Sequence, residues 1–536
     1  MKAKTPRTSS SCKEAAAGAA SVAPAAAGLD SRGRAGSPAR LYRPRLGLEI
    51  EMVVAHARTG ASLPVEAYFS ALREVKQERG VSSQDMMQGG RCIGLHTATA
   101  ECGLDNGFNL LETALAPVDD GPRGLDRLAA LAHRELADTL QALEADEACI
   151  LNASQHPDCP RDAHWYAKVC VPRPIYRELR DHRGWHHWEG IDAKAQNGAN
   201  TSVPVEGAIR ALNVAIALAP ASLALFANSP LESGRDTGLR ENRMTIWPRV
   251  FGPARFPGDA WLCQYPSRPF HDLGDFFHWM FGAGTVARGL PLAPSYDYKS
   301  VPTVLLEGDP CLEDFLTAPA WRGRRSDDGS TVELVPHARH FEYSQIGQFL
   351  DARLRYRLDA EPPLAELLDA WRRDGGLETL FAACGAQTYI EARAPGAGFA
   401  DECLLREAGP AQALSLLPAP SAVQKGLLAN LDEAWRLVNE WGWQALGELR
   451  EPAMRTGVGD GRVKALCAQV LSVARSGLAP HDASWLAYPE FVLDSGRSGA
   501  DRLLDTWNSA GGTARQRLAA LLAHHAAVQP GRYGGI

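Results

Sequence analysis

Two carboxylates, Glu49 and Glu51, stand two residues apart inside the apolar run Leu46-Gly47-Leu48-Glu49-Ile50-Glu51-Met52. Successive side chains alternate faces along a β-strand, so this spacing predicts a strand with Leu48 and Ile50 in a core and both glutamates on the opposite face. Like charges side by side on one face repel, and the arrangement survives only where a cation or a proton offsets the cost. Hard divalent cations are the natural partners of such oxygens.

Two further strand-like segments place a glutamate among apolar neighbours: Glu112 in Asn109-Leu110-Leu111-Glu112-Thr113 and Glu391 in Tyr389-Ile390-Glu391-Ala392-Arg393. Each alone reads as a solvated outer-face residue or half of an ion pair. Glu391 and Arg393 in particular read as a same-face pair of small worth. Taken together, and with Asp105 seven residues before Glu112, they point to a metal site.

The 536 residues exceed one ordinary core, which implies a large unit with an appended subdomain, or two to three domains. A hydrophobic fraction of 45% is ample for a packed interior. The formal net charge of -7 excludes a general nucleic-acid binder, which needs a basic balance against phosphates. The 11 cysteines are scattered with no C-x-x-C, so a reduced cytoplasmic compartment is the simplest reading. A local bridge between Cys92 and Cys102 is the alternative. The longest apolar run, Ala211 to Ala227, is interrupted by Asn213, Pro220 and Ser222 and is short of the ~20 residues of a membrane span. It reads as a buried helix kinked or broken at the proline, so no membrane partner is expected.

Residues 1–40 are dominated by Ala, Ser, Pro and Gly and bury too little apolar surface to fold. An organellar transit peptide shares that composition; an unstructured extension is the preferred reading. From Arg45 the pattern is mixed α/β, with strands at the Glu49 run, Phe108 to Val118, Asn200 to Val205 and Thr388 to Arg393. Helices are expected over Val65 to Arg79, Leu125 to Ala145 and from Ala208. After Pro418-Ala419-Pro420 apolar residues recur at helical spacing, as in Leu428, Leu431, Trp435 and Val438. The organisation is thus an extension over 1–40, a catalytic domain over 41–415 and a helical C-terminal subdomain over 416–536.

From residue 45 onward the chain resembles the glutamate–cysteine ligase family, closest to its plant-type and proteobacterial branch, and more broadly the carboxylate–amine ligases. The resemblance rests on the Gly-x-Glu-x-Glu strand at Gly47 to Glu51, the Asp-(x6)-Glu element at Asp105 to Glu112, and Leu225-Phe226-Ala227-Asn228-Ser229-Pro230 followed by Gly234-Arg235, Gly238 and Arg243. Thr388 to Arg393 and the tail Ser495-Gly496-Arg497 with Ala500, Arg502, Leu503 and Leu504 complete it. Each motif is weakly specific; five in order are strong.

The resemblance implies an α+β, glutamine-synthetase-like fold, a curved and mainly antiparallel β-sheet with flanking helices. It implies ATP and Mg2+ as cofactors and small-molecule substrates, glutamate and an amine such as cysteine, with homo-oligomerisation left open. Carried over residue by residue, Glu49, Glu51, Asp105, Glu112 and Glu391 become metal ligands. Arg243 and Arg393 become contacts to phosphate or substrate carboxylate, with Arg235 a weaker nucleotide contact.

Those residue types suit the chemistry. A carboxylate is a poor acyl donor until it takes the γ-phosphoryl of ATP as an acyl phosphate, which an amine then displaces. Phosphoryl transfer needs charge neutralisation and in-line positioning more than a protein nucleophile. No G-x-x-x-x-G-K-[ST] loop occurs, so carboxylate-held metal has to supply that role. One departure stands out. Where the family carries Gln-Val-Asn or His-Val-His, this chain reads Gly198-Ala199-Asn200-Thr201-Ser202-Val203-Pro204-Val205. Asn200, Thr201 and Ser202 are the oxygen-bearing candidates there for a metal or nucleotide contact.

His182, His186 and His187, between Trp185 and Trp188, form a second cluster, read as a loop or lid in preference to a metal site. The expectation is therefore a glutamate–cysteine ligase of glutathione-type thiol synthesis. A ligase for a different acid or amine and a silent nucleotide-binding homologue are the alternatives.

Overall fold

In the computed structural model residues 42–292, 299–343 and 351–535 are described. The extension expected over 1–40 lies outside them. The architecture is built on a ten-stranded, antiparallel sheet. Its strands are β1 (Arg45–His56), β2 (Ser83–Gln88), β3 (Arg91–Thr97), β4 (Ala100–Leu104), β5 (Leu110–Leu115), β6 (Val118–Asp119), β7 (Ala148–Ile150), β8 (Asn197–Val203), β9 (Ala352–Arg357) and β10 (Gln387–Ala392). The order across the sheet is β9-β10-β8-β1-β5-β4-β3-β2, with β6 and β7 pairing along β1. The mixed α and β class with a mainly antiparallel sheet is the one expected from sequence.

β1 is central because its two faces differ so sharply. Leu46, Leu48, Ile50 and Met52 are 0–1% exposed in the main core. Two helices cover that face, α1 (Gly124–Leu143) against β1 and β5, and α2 (Ala419–Ala429) against β8 and β1. From α2, Gln424 Nε2 donates to the carbonyls of Ala199 (3.1 Å) and Ile390 (2.9 Å) and to Thr201 Oγ1 (3.0 Å), stitching the helix to β8 and β10. Behind α2 lies α3 (Gly461–Gly477), and the two backbones come so close that a Cβ on Gly426 would sit 2.2 Å from the Ala474 carbonyl oxygen. Only glycine permits that crossing.

The long apolar helix is realised as two helices, Ala208–Ala217 and Ala219–Leu225, bent by 48° at the break before Pro220. Both are largely buried, and among the described residues no single helix is long and apolar enough to cross a membrane. From Glu402 to His525 the described chain is helical, and these helices pack onto the sheet's apolar face through α2. Cys92 and Cys102 are both free thiols, so the bridge considered between them does not form. The local sequence pairs Leu95 with Cys102 across β3 and β4, while Cys92 faces Met87 on β2. The β2–β4 meander is the main element the periodicity did not foretell; its outer strand, Ser83–Gln88, is polar and largely exposed.

Candidate active site

Register places the charged residues. Directly opposed residues of neighbouring strands share a face. Glu51 pairs with Glu112, Gly47 with Asn200, Asn200 with Glu391, and Glu391 with Arg353. Glu49 lies two residues along β1 from Glu51, and Arg355 and Arg393 lie two residues from Arg353 and Glu391. One face of β9, β10, β8, β1 and β5 is therefore a charged floor, while Leu48, Ala199, Ile390 and Leu354 face the core behind it.

Above this floor opens a cleft of about 790 Å3, counted to its mouth. Glu49, Glu51, Asp105, Glu112 and Glu391 all line it, with Lys194, Lys299, Arg353, Arg355 and Arg393. The facing wall is apolar and aromatic and includes Tyr176, Trp185, Ile191 and Trp247. Asp105 arrives from the β4–β5 turn, which Asn106 Nδ2 braces by donating to its Oδ2 (2.8 Å).

The charges are sorted into groups. Lys194, 2% exposed at its side chain, donates to Glu51 Oε1 and Oε2 (3.2 and 3.1 Å) and to Asp105 Oδ2 (2.9 Å). Burial pushes Asp105 up, but Lys194, Lys299 and Arg173 outweigh it and hold the carboxyl below its ordinary range. Glu51 is raised by burial in spite of Lys194. Its Oε2 also accepts from the Gln196 amide (3.1 Å). Glu391 is 1% exposed, receives Arg355 Nε and Arg393 Nη1 at 2.7 Å each, and lies 3.5 Å from Arg353 Nε. Burial opposes its charge, but these three guanidinium groups hold it well below the usual carboxylate range.

Glu49 and Glu112 have no ion-pair partner among the described residues. Burial, then the charges of Glu391 and Glu112, push Glu49 up to about 8. Among the described residues the polar side chain that hydrogen-bonds to it is Asn200, whose Nδ2 donates at 3.4 Å. The electrostatic demand inferred from the Glu49/Glu51 spacing thus falls on Glu49, since Glu51 carries its own lysine.

Other sequence candidates fall elsewhere. Arg243 is 1% exposed beneath the cleft, paired with Glu241 (2.7 Å) and donating to the carbonyls of Arg393 (3.2 Å) and Ala394 (2.8 Å). It supports the strand end that carries Arg393 and does not line the cleft. Arg235 is exposed in the short hairpin of Leu231–Glu232 and Arg235–Asp236, outside the cleft. Thr201 faces the core, where it accepts from Gln424, because it is one residue out of phase with Asn200. Ser202 shares the face of Asn200, opposite Tyr389, but is not among the cleft-lining residues.

The three histidines also separate. His187 is buried in the cleft wall beside the Tyr166 hydroxyl (Nδ1, 3.0 Å), and burial pushes it down to about 3. His182 meets Asp309 (3.1 Å), and His186 stacks on Trp188. Among the described residues no three His, Cys, Asp or Glu groups converge as a ready metal cage. The residues missed from sequence are Lys194, Lys299, Arg353, Arg355 and the aromatic wall. The alternation Ala352-Arg353-Leu354-Arg355-Tyr356-Arg357 carried a strand signal with cations on one face. Lys194 carried none.

Residues 45–262 match the family model of glutamate–cysteine ligase family 2 (GCS2). The GCS2 segment contains Glu49, Glu51, Asp105, Glu112 and Lys194, whereas Arg353, Arg355, Glu391 and Arg393 lie beyond it. Among solved structures, the chain is similar to a bifunctional glutathione synthetase from Pasteurella multocida, at 14% identity and a TM-score of 0.43, over 90% of this chain and 51% of that one. The chain thus spans about half the length of that protein. It is also similar to a glutamate–cysteine ligase from Francisella tularensis in complex with AMP, at 12% identity and a TM-score of 0.40, over 89% of this chain and 87% of that one. No curated protein sequence matches significantly.

Proposed function

We propose that the cleft is the active site of an ATP-dependent ligase. It activates the γ-carboxyl of glutamate as an acyl phosphate and joins it to an amine, by default L-cysteine, in glutathione-type thiol synthesis. The observation that carries this reading is the charged floor itself, four carboxylates and three arginines on one sheet face, joined by Asp105 from the β4–β5 turn, within a cleft whose β1–β8 half lies in the GCS2 match.

The donor chemistry fits Mg2+ in part. Among the described residues Glu49 and Glu112 are oxygen donors with no ion-pair partner, and Mg2+ is commonly held by one or two carboxylates together with substrate phosphates. When bound there, Mg2+ supplies charge neutralisation and orientation of the β- and γ-phosphates. Arg353, Arg355 and Arg393 bring positive charge to the same floor for the transferring phosphoryl or the substrate carboxylate. The wall of Tyr176, Trp185, Ile191 and Trp247 excludes water, which protects an acyl phosphate from hydrolysis before the amine arrives. The ten free cysteines among the described residues agree with a reducing cytoplasm.

A second reading, a ligase using a different amine, is favoured by β8. There Gly198, with no side chain to offer, stands opposite Glu49. The test is phosphate and ADP release from purified protein with ATP, Mg2+ and glutamate against a panel of amines. Cysteine-dependent release supports the first reading and release with another amine alone selects the second. Silence across the panel refutes both in favour of a non-catalytic nucleotide binder.

A further inference from the structure

Lys194 is a charged residue of the cleft that neither the motifs nor the register called for. It lies in the segment leading into β8, three residues before Asn197, and its side chain reaches Glu51 on β1 and Asp105 in the β4–β5 turn. Its ammonium touches three oxygens on two carboxylates at 2.9–3.2 Å, and the Trp247 ring lies 5.5 Å away. A buried ammonium with that many anionic contacts occupies the space a divalent cation would take between Glu51 and Asp105. Both would need to leave water, yet only the lysine is covalently delivered.

We infer that Lys194 is a built-in cation that replaces a metal ion at Glu51 and Asp105, so that the centre takes a single divalent ion on the Glu49/Glu112 side. This rests on the Mg-ATP reading of the cleft. One observation supports the division: Lys194 satisfies Glu51 and Asp105 together, whereas Glu49 and Glu112, equally part of the floor, have no ion-pair partner among the described residues. Lys194 is then a positioning residue for Glu51 and Asp105. It holds both Glu51 oxygens and Asp105 Oδ2 with its N–H donors and supplies the positive charge between them.

The inference is tested by counting Mn2+ bound to the full chain by electron paramagnetic resonance titration, with and without a non-hydrolysable ATP analogue, for wild type and Lys194→Gln. The expected result is one Mn2+ per wild-type chain and one more in Lys194→Gln, whose thermal midpoint rises with Mn2+ more than that of wild type. Two or more ions in wild type, or equal counts in the two proteins, overturns the role of Lys194 while leaving the Mg-ATP reading intact. No Mn2+ in wild type under either condition overturns both. If Lys194→Gln does not fold even with Mn2+, the wild-type count alone decides. Because no count depends on turnover, failure to find the amine does not affect it.

Discussion

Replacing Glu49 by Gln should stabilise the metal-free protein at alkaline pH while removing a proposed metal ligand. Burial and the charges of Glu391 and Glu112 raise the Glu49 carboxyl from 4.5 to about 8. The folded chain therefore holds a proton that the unfolded chain releases, and stability falls as pH rises between those values. The penalty is absent below the unfolded value and complete above the folded one. At about 1.36 kcal/mol per pH unit the whole window amounts to about 5 kcal/mol. Rearrangement of Glu112 and of water at the open side of the cleft should reduce the realised cost to about 2–4 kcal/mol. Gln keeps the shape, carries no charge at any pH, and retains an oxygen for the Asn200 amide that now donates to Glu49.

The assay is urea unfolding of wild type and Glu49→Gln in chelator, across about pH 5 to pH 9. The mutant's advantage should be near zero at the acid end and reach its full size at the alkaline end. Saturating Mg2+ should shrink it, because only the wild type gains binding free energy from the ion. A mutant advantage that is flat with pH, or a mutant less stable at the alkaline end, would show that Glu49 is not held against its charge.

Three further outcomes follow from buried contacts. His525 is pushed down by burial but raised to about 9 by Asp401, whose Oδ2 lies 2.8 Å from Nδ1. Its charge therefore stabilises the fold fully below about 6.5 and loses that effect as pH rises through about 9; His525→Gln should cost about 3 kcal/mol at neutral pH and little above pH 10, read by denaturant titration. Arg243→Met strands Glu241 in a site where that carboxylate is fully buried, and should lower stability by about 3–5 kcal/mol; a loss under 1 kcal/mol would remove Arg243 from the support of the Arg393 strand end. Gly426→Val should push α2 off α3 where a Cβ already meets backbone at 2.2 Å, lowering the unfolding midpoint and loosening Gln424 from β8; wild-type stability would contradict the close crossing.

Much of the site was legible because strands announce themselves with period two. Alternation alone placed Glu49 and Glu51 on one face; Glu112 and Glu391 joined them as a set of strand carboxylates and Arg393 through the family resemblance, and the structure brings all five into one cleft. Thr201 shows the limit of that logic, since a choice among three consecutive residues ignores the face that the register assigns. Arg243 and Arg235 show another. A motif identifies a segment, but whether an arginine reaches the cleft or braces the wall depends on partners such as Glu241, distant from the floor in register though adjacent in sequence. Lys194 was illegible because it sits in an irregular lead-in to β8, where no periodicity gives a side chain a direction. The aromatic wall comes from loops and short helices between residues 175 and 191 and from Trp247, which only the tertiary fold assembles.

The balance of charge in the cleft then constrains how a nucleotide arrives. Among the described residues five carboxylates and five cationic side chains line it, and with Glu49 raised to about 8 the metal-free cleft offers a triphosphate only a small net attraction at neutral pH. What it offers is separation: three arginines gathered on Glu391, a lysine locked between Glu51 and Asp105, and a carboxyl edge at Glu49 and Glu112 with no ion-pair partner among the described residues. Free ATP meets Glu112, and Glu49 once it ionises, as a repulsion at a few ångströms, where charge pairs are poorly screened. ATP carrying a divalent ion presents the ion to the edge and its phosphates to the arginines, which satisfies both ends at once. Productive association should accordingly depend on the metal–nucleotide complex and vary weakly with salt, in contrast to a basic phosphate site whose affinity falls steeply as ions are added. A strong salt dependence of nucleotide binding, or free ATP binding as tightly as its Mg2+ complex, would place the phosphates somewhere other than this floor.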